Sequence, residues 1–356
     1  MRIFFIINSL KKCSGSERVA CILANKLVEQ LNFDVTILNR DADFDAVAYP
    51  LDNRVKVQKV AGSQFSFYKS LVNTVKRESP DLVIVHNMGK LSILCALIPN
   101  IKKLVILEHV SFISRPKCVQ FLSKIFYKRI DQVVTLTHRD KISFDTFHPD
   151  VTVIPNFSPF PVTIKKNCDQ KQIVSIGRLT DQKNYVHLLK AWEKISYQLP
   201  EWKLCIYGEG EHKTLLTDYI NDNKLTNVFL KGATPNVQHV YESSDFFVMS
   251  SKYEGLPMVL IEAQSFGLPI VSYDCPNGPS DIIKDKVNGY LVENQNINQL
   301  ADRILALASS PLDLVEFSQN SLLNAENYQP EKILNKKNKK KFKDTIYVFG
   351  FNIHLL

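Results

Sequence analysis

Two glutamates with seven residues between them, Glu254 and Glu262, stand in the run YEGLPMVLIEAQSFGLPIVSYDCPNGPSD from Tyr253 to Asp281. Carboxylates accept hydrogen bonds from sugar hydroxyls, two at a time where adjacent diols are offered. A second cluster, Gly177-Arg178-Leu179 followed by Gln182-Lys183-Asn184, puts two cations at the end of an apolar run. Two cations suit a diphosphate and stabilise the charge that develops when it departs, and the glycine permits a tight turn. His109 follows another apolar run, where an imidazole hydrogen-bonds a hydroxyl near neutral pH, with His86 and Glu108 as competitors for the role. The loop around Gly15, Ser14 to Val19, lets backbone amides approach a phosphate or sugar closely. Singly, each feature has a plainer reading: exposed glutamates on a helix, a solvated loop, a structural histidine, an ordinary turn.

The elements that position these residues follow from periodicity. Asp245 to Ser250 reads as a buried strand, and Pro257 suits the first turn of a following helix, where its missing N–H is one the helix leaves unpaired. Glu254 then sits at a strand-to-helix turn and Glu262 inside the helix, about a turn and a half on. Such a turn at the carboxyl end of a parallel strand is where open α/β sheets bind ligands, and a helix N-terminus favours a phosphate. Together these ask for an anionic ligand with hydroxyls, such as a nucleotide sugar. Glycosidase-type acid/base work fits less well, because there two carboxylates flank the scissile bond and here one is held back in the helix.

Along the chain, strands are expected at Met1 to Ile7, Asp34 to Leu38, Leu82 to Val85, Leu104 to Leu107, Val133 to Leu136 and Val151 to Ile154, with a helix at Glu17 to Leu31. Lys117 to Ile130 reads as a helix whose apolar face, Cys118, Phe121, Leu122, Ile125 and Phe126, packs on the core while its lysines are solvated; lying on an anionic membrane is the less favoured reading. The proline-rich run Pro155 to Asp169 reads as a linker. Beyond it strands are expected at Gln172 to Ile176, Lys203 to Tyr207, Val228 to Lys231, Pro269 to Tyr273 and Gly289 to Val292, alternating with helices. The fold class is therefore α/β, with two Rossmann-like doubly wound domains facing across a cleft. The first spans residues 1–156 on the acceptor side, a linker follows over 157–170, a nucleotide-sugar-binding domain covers 171–327, and a basic and apolar tail covers 328–356. Gly15 lacks the companion glycines of a dinucleotide fingerprint, which disfavours a NAD enzyme.

Charge is unevenly spread: 24 Lys and Arg against 15 Asp and Glu over residues 1–170, 14 against 20 over 171–334, and 6 against 1 over 335–356. A polyanionic or membrane-surface partner is thus expected on the first half and the tail, and no nucleic-acid-binding module accompanies the basic charge. The seven cysteines form no CxxC pair and are odd in number, as in a reduced, cytosolic chain without a structural metal. The first apolar run is too short for a signal peptide, and none approaches the ~20 residues of a membrane span, so membrane contact is expected to be peripheral. The tail, NKKNKKKFK and then TIYVFGFNIHLL, reads equally as a surface anchor, a segment docking on the first domain or a disordered end.

GRLTDQKN at Gly177 to Asn184, then EGLPMVLIE and FGLPIVSYDCPNGP at Glu254 to Pro279, resemble in order and spacing the family-4 retaining glycosyltransferases of the GT-B fold, bacterial polysaccharide-assembly type. The resemblance covers Arg2 to about Tyr328. It implies that Arg178 and Lys183 hold the donor diphosphate, Glu262 the ribose hydroxyls and Glu254 the donor sugar. Backbone amides near Gly255 and Leu256 would cap the phosphates, and His109 would lie beside the transferred sugar. It further implies transfer of a hexose or N-acetylhexosamine from a UDP-sugar, without a metal, to a saccharide acceptor on a lipid carrier, in capsule, O-antigen or exopolysaccharide synthesis at the inner membrane face. The alternatives are a nucleotide-sugar epimerase of the same fold and an inactive nucleotide-sugar-binding scaffold subunit. The family usually has two glycines where this chain has Ser14-Gly15, and its final helix differs from the tail found here.

Overall fold

The computed structural model describes residues 1–11, 15–41, 47–60, 62–87, 89–164, 169–334, 345–348 and 351–354. They form two units, Met1–Pro155 and Asn156–Leu356, each with its own sheet and core.

In the first unit the strands are β1 (Arg2–Ile7), β2 (Asp34–Asn39), β3 (Lys56–Lys59), β4 (Leu82–Asn87), β5 (Leu104–Glu108), β6 (Gln132–Thr135) and β7 (Val151–Val153). Among the described residues they make one parallel sheet in the order β3-β2-β1-β4-β5-β6-β7. The crossovers carry α1 (Gly15–Leu31), α2 (Gln64–Glu78), α3 (Lys90–Ala96), α4 (Lys117–Phe126) and α5 (His138–Asp145). A parallel sheet covered on both faces needs strands apolar throughout, and RIFFII of β1 is buried from Ile3 to Ile7. Among the described residues β3 (KVQK) pairs only with β2, and with exposed lysines at two of its four positions it lacks the apolar signature; neither it nor α2 is evident from the sequence. α2 buries Phe67, Leu71 and Val75 at successive four-residue steps, and the Ser63 hydroxyl caps it by accepting from the Ser66 amide.

The second unit contains β8 (Gln172–Ile176), β9 (Lys203–Tyr207), β10 (Val228–Gly232), β11 (Phe246–Met249), β12 (Ile270–Tyr273) and β13 (Gly289–Val292). Its parallel order is β10-β9-β8-β11-β12-β13 among the described residues. Its helices are α6 (Tyr185–Ile195), α7 (Lys213–Asp222), α8 (Val237–Glu242), α9 (Met258–Ser265), α10 (Pro279–Ile282), α11 (Ile297–Ala308), α12 (Pro311–Ala325) and α13 (Pro330–Leu334). Trp192 of α6 is wholly buried among Leu188, Leu204, Leu300 and Ile304, and its indole N–H donates to Asn227 Oδ1 at 2.9 Å.

Three expectations change. Pro257 is the N-cap of α9 rather than its first turn, with φ −73° and ψ 101°, so the helix begins at Met258. The proline-rich run is strapped to the second unit: the Ser158 amide donates to the Tyr328 carbonyl (2.7 Å), the Thr163 amide to the Ser265 carbonyl (2.8 Å), and Phe160 packs edge-on against Phe266. Extended backbone around prolines cannot pair with itself, so its donors find partners on the neighbouring α9 and on the 3-10 turn at Glu326–Tyr328. In the tail, β14 (Thr345–Val348) pairs antiparallel with β15 (Phe351–His354), while the lysine run lies outside the described residues. No helix among the described residues is long and apolar enough to cross a membrane.

Replacing Trp192 by Ala removes a fully buried indole and orphans Asn227. Urea denaturation should read a loss of about 3–5 kcal/mol for this unit.

Candidate functional site

In a doubly wound sheet the loops leaving two neighbouring strands diverge where the strand order reverses, and a crevice opens there. In the second unit the reversal falls between β8 and β11. The loops leaving those strands are Gly177 to Asn184 and Ser250 to Pro257, so strands 70 residues apart in sequence deliver both clusters to one place.

The two loops are stitched together. Lys183 Nζ donates to Glu254 Oε1 at 2.6 Å, with side-chain exposures of 18% and 9%. Gln182 Nε2 donates to the Tyr253 carbonyl (3.0 Å), the Lys252 amide to the Gln182 carbonyl (2.8 Å), and Ser250 Oγ to the Lys183 carbonyl (2.9 Å). Lys252 pairs with Asp181 at 2.6 Å. Arg178 differs: it is exposed and has no acid partner among the described residues. The backbone amides of Gly255 and Leu256, just ahead of α9, have no protein acceptor among the described residues. The site therefore offers one compensated cation, one uncompensated cation and two open amides at a helix start, which matches an oxyanion-rich ligand.

Glycines serve this site by close approach. A Cβ on Gly177 would lie 2.9 Å from the Tyr185 hydroxyl and 3.2 Å from Lys183 Cε, so the missing side chain makes room for the lysine stem. Gly208, at φ +149°, would place a Cβ 1.9 Å from the Gly177 carbonyl oxygen. Gly278, at φ +96°, would meet Pro257 Cδ at 2.3 Å and the Gly255 carbonyl at 2.6 Å, which seats the CPNGP segment against the Gly255 loop. The sequence singled out Gly177 but not Gly208, whose spacing from the motif carries no signal. Tyr185, beside Gly177, is buried, and burial together with the Glu254 charge pushes its phenol well above the ordinary range.

Glu262 lies one helical turn inside α9, 7% exposed, and accepts from the Tyr241 hydroxyl of α8 at 3.0 Å. The two glutamates are therefore held by different partners, Glu254 by Lys183 and Glu262 by Tyr241, and neither is a loose surface carboxylate. Tyr241, 0% exposed, was not evident from the sequence as a site residue.

In the first unit the strand order reverses between β1 and β4. Gly15 becomes the first residue of α1, and Ser14 lies outside the described residues. His109, immediately after β5, stacks on His86 of β4 with ring centroids 5.4 Å apart, and His109 Nε2 lies 3.3 Å from His86 Nδ1. His86 is thus a partner of His109 rather than a competitor. Glu108 is no competitor either. It is buried in an ion pair with Arg115 at 2.5 Å and also accepts from the Tyr127 hydroxyl and from Ser92 Oγ (3.3 Å). Burial pushes the Glu108 carboxyl up, against the pull of the Arg115 guanidinium.

Burial lowers both imidazoles, His109 to about 4, and His109 adds to the depression at His86. Two neutral rings sharing one hydrogen bond leave one N–H and one bare nitrogen at the far ends. These are the buried atoms His86 Nε2 and His109 Nδ1, which have no protein partner among the described residues. The pair carries one unused donor and one unused acceptor whichever ring donates in the middle.

Two outcomes follow. Unfolded histidine takes up a proton at the ordinary value of 6.5, whereas folded His109 waits until about 4, so stability conferred by the neutral ring is present above 6.5 and is lost as pH falls through that window. Unfolding free energies from urea titrations across it should fall by on the order of 3 kcal/mol, and His109→Gln should flatten the slope. Gly208→Ala should displace the Gly177 carbonyl and weaken binding of an oxyanion-rich ligand, tested with a nucleoside diphosphate, at least tenfold by calorimetry, about 1.4 kcal/mol.

The family model described as "Glycosyl transferases group 1" matches residues 159–323, and that described as "Glycosyltransferase Family 4" matches residues 13–157. The chain is 32% identical over 355 residues to the amylovoran biosynthesis glycosyltransferase AmsD of Erwinia amylovora, covering 95% of this chain and 98% of that protein. It is 30% identical over 354 residues, 95% of this chain and 93% of the relative, to an alpha-1,4-N-acetyl-D-galactosaminyltransferase of Campylobacter jejuni. Among solved structures, TarM superposes with a TM-score of 0.77 at 20% identity over 94% of this chain and 97% of that one. HepE of Anabaena, solved with UDP, gives 0.76 at 15% identity over 92% and 96%. With two doubly wound units, a dicationic loop at the second switch point and matches along nearly its whole length, the chain belongs to the family-4 glycosyltransferases of the GT-B fold.

Proposed function

We propose that this glycosyltransferase moves a hexose or N-acetylhexosamine from a UDP-sugar, with retention of anomeric configuration and without a metal, to a saccharide acceptor on a lipid carrier during bacterial polysaccharide synthesis. The observation that carries the reading is the Lys183–Glu254 pair beside the uncompensated Arg178 and the open amides of Gly255 and Leu256. The names of two relatives support it: one serves amylovoran biosynthesis, and the other acts on an undecaprenol-diphosphate-linked glycan.

In this reading the donor diphosphate lies against Arg178 and Lys183, with its oxygens on the two amides. Glu254 both orients the Lys183 ammonium and accepts from sugar hydroxyls, while Glu262, steadied by Tyr241, accepts from the ribose. Within the first unit, Gly15 leaves room at the start of α1 for a phosphate or sugar, and the His86–His109 pair carries one donor and one acceptor for a sugar hydroxyl. As the bond from the anomeric carbon to the UDP oxygen breaks, the acceptor oxygen bonds to that carbon and passes its proton to the departing phosphate oxygen. The negative charge left on UDP is met by two cations already in place, so little reorganisation is needed. Two fixed cations supply the electrostatic work for which other transferases employ a divalent ion.

Lys183→Ala removes one cation and leaves the Glu254 carboxylate uncompensated beside the diphosphate. Transfer from UDP-sugars to a lipid-linked acceptor should fall by about 100- to 1000-fold while circular dichroism shows the fold retained. Retained turnover would remove Lys183 from the diphosphate site, and release of an isomerised donor without glycosylated acceptor would mark an epimerase instead.

A further inference from the structure

The sequence reading placed the apolar face of α4 in the core, and the structure reverses it. The side chains α4 buries are Val119 and Ser123, with Tyr127 continuing the stripe one turn on. Phe121 is 64% exposed, Ile125 46% and Leu122 39%; Cys118 is also exposed, and Ile113 in the preceding loop is 67% exposed. At about 100° per residue, Phe121, Ile125, Cys118 and Leu122 fall within one continuous arc roughly 100° wide. Lys117 and Lys124 border that arc on one side, away from the buried stripe. The Tyr127 hydroxyl is held by Glu108 and Arg115 and its ring stacks on Phe144, so the buried side of α4 is fixed in place and the outward apolar side is left over rather than mispacked.

Charge identifies what covers this face. Residues 109–130 contain Arg115, Lys117, Lys124, Lys128 and Arg129 and not one Asp or Glu. Arg115 is consumed inside by Glu108, while the other four are exposed. The neighbouring α3, which packs against α4, adds the exposed Lys90 and no acid. We propose that α4 with Ile113 is a surface for an anionic lipid bilayer, in which Phe121, Leu122 and Ile125 enter the headgroup region while Lys117, Lys124, Lys128 and Arg129 meet lipid phosphates. The helix is about 15 Å long, too short to span and suited to lie in the interface. A second copy is the weaker occupant, because a two-fold pairing would set this cationic face against itself with no carboxylate to relieve it.

This surface deepens the lipid-carrier reading, yet it stands on residues outside the donor site, so the two fail separately. The test is co-sedimentation of the full chain with vesicles of phosphatidylcholine alone and of phosphatidylcholine with phosphatidylglycerol, at low and high salt. Wild-type protein should partition to the anionic vesicles and release with salt. F121Q/I125Q should lose at least tenfold in partitioning, and K117E/K124E about fivefold or more for each cation reversed. Both variants should keep the wild-type melting temperature and UDP affinity, since the altered side chains are exposed. Equal binding to neutral and anionic vesicles, or partitioning unchanged in both variants, overturns the proposal. So does a wild-type dimer on size analysis that F121Q/I125Q turns into monomer while vesicle binding persists, because the face then belongs to a second copy. Loss of UDP binding in wild-type protein with vesicle binding intact would instead sink the donor reading alone.

Discussion

The reversal of strand order within each parallel sheet is the constraint from which the site follows. Parallel strands must be joined by crossovers, and right-handed crossovers on both faces require the chain to return to the middle of the sheet once. In the second unit that return sets β11 beside β8, with Phe246 level with Ile173 and Phe247 level with Val174. Everything chemical there descends from this register: the ends of the two strands hold Lys183 and Glu254 within 2.6 Å, and the same adjacency stitches Gln182 to Tyr253 and Ser250 to Lys183. In the first unit the pairing of β4 with β5 brings His86 and His109 into ring contact.

Charges are handled differently in the two units. At the loops leaving β8 and β11, the Lys183–Glu254 pair is only partly shielded, with side-chain exposures of 18% and 9%, and the loop that carries Lys183 also carries the exposed Arg178. In the first unit the ion pair Glu108–Arg115 is buried, with side-chain exposures of 1% and 2%, and is satisfied by Tyr127 and Ser92. Such a pair adds little net stability, since desolvation offsets attraction, but it fixes geometry because any other arrangement would strand a charge. It ties the residue before His109 to the segment entering α4, so the loop that aims the imidazole and the helix that presents the exposed apolar arc are anchored to the same carboxylate.

Much of the fold was legible in the sequence. Long apolar runs such as RIFFII and QIVSI mark strands buried on both faces, and β8, β9 and β13 fall where the pattern places them. The weak positions were those where burial does not follow composition. β3 is a short edge strand, KVQK, with a lysine at each end, and α4 carries more apolar surface than its packing uses, so periodicity pointed to the wrong face. The proline-rich run read as free because it has no period; its partners, Ser265 and Tyr328, lie more than a hundred residues away in sequence.

By itself the sequence determined which residues could do the chemistry: the spacing of Glu254 and Glu262, the cations Arg178 and Lys183, and the histidine after β5 are properties of the linear chain. Only the tertiary structure decided who faces whom. It paired Lys183 with Glu254, gave Glu262 to Tyr241, made His86 the partner of His109, withdrew Glu108 into the core and turned Phe121 and Ile125 outward. The physical reason is that residue type fixes which bonds a group can make, while sheet register and core packing, which join positions far apart in the chain, fix which of those bonds are within reach.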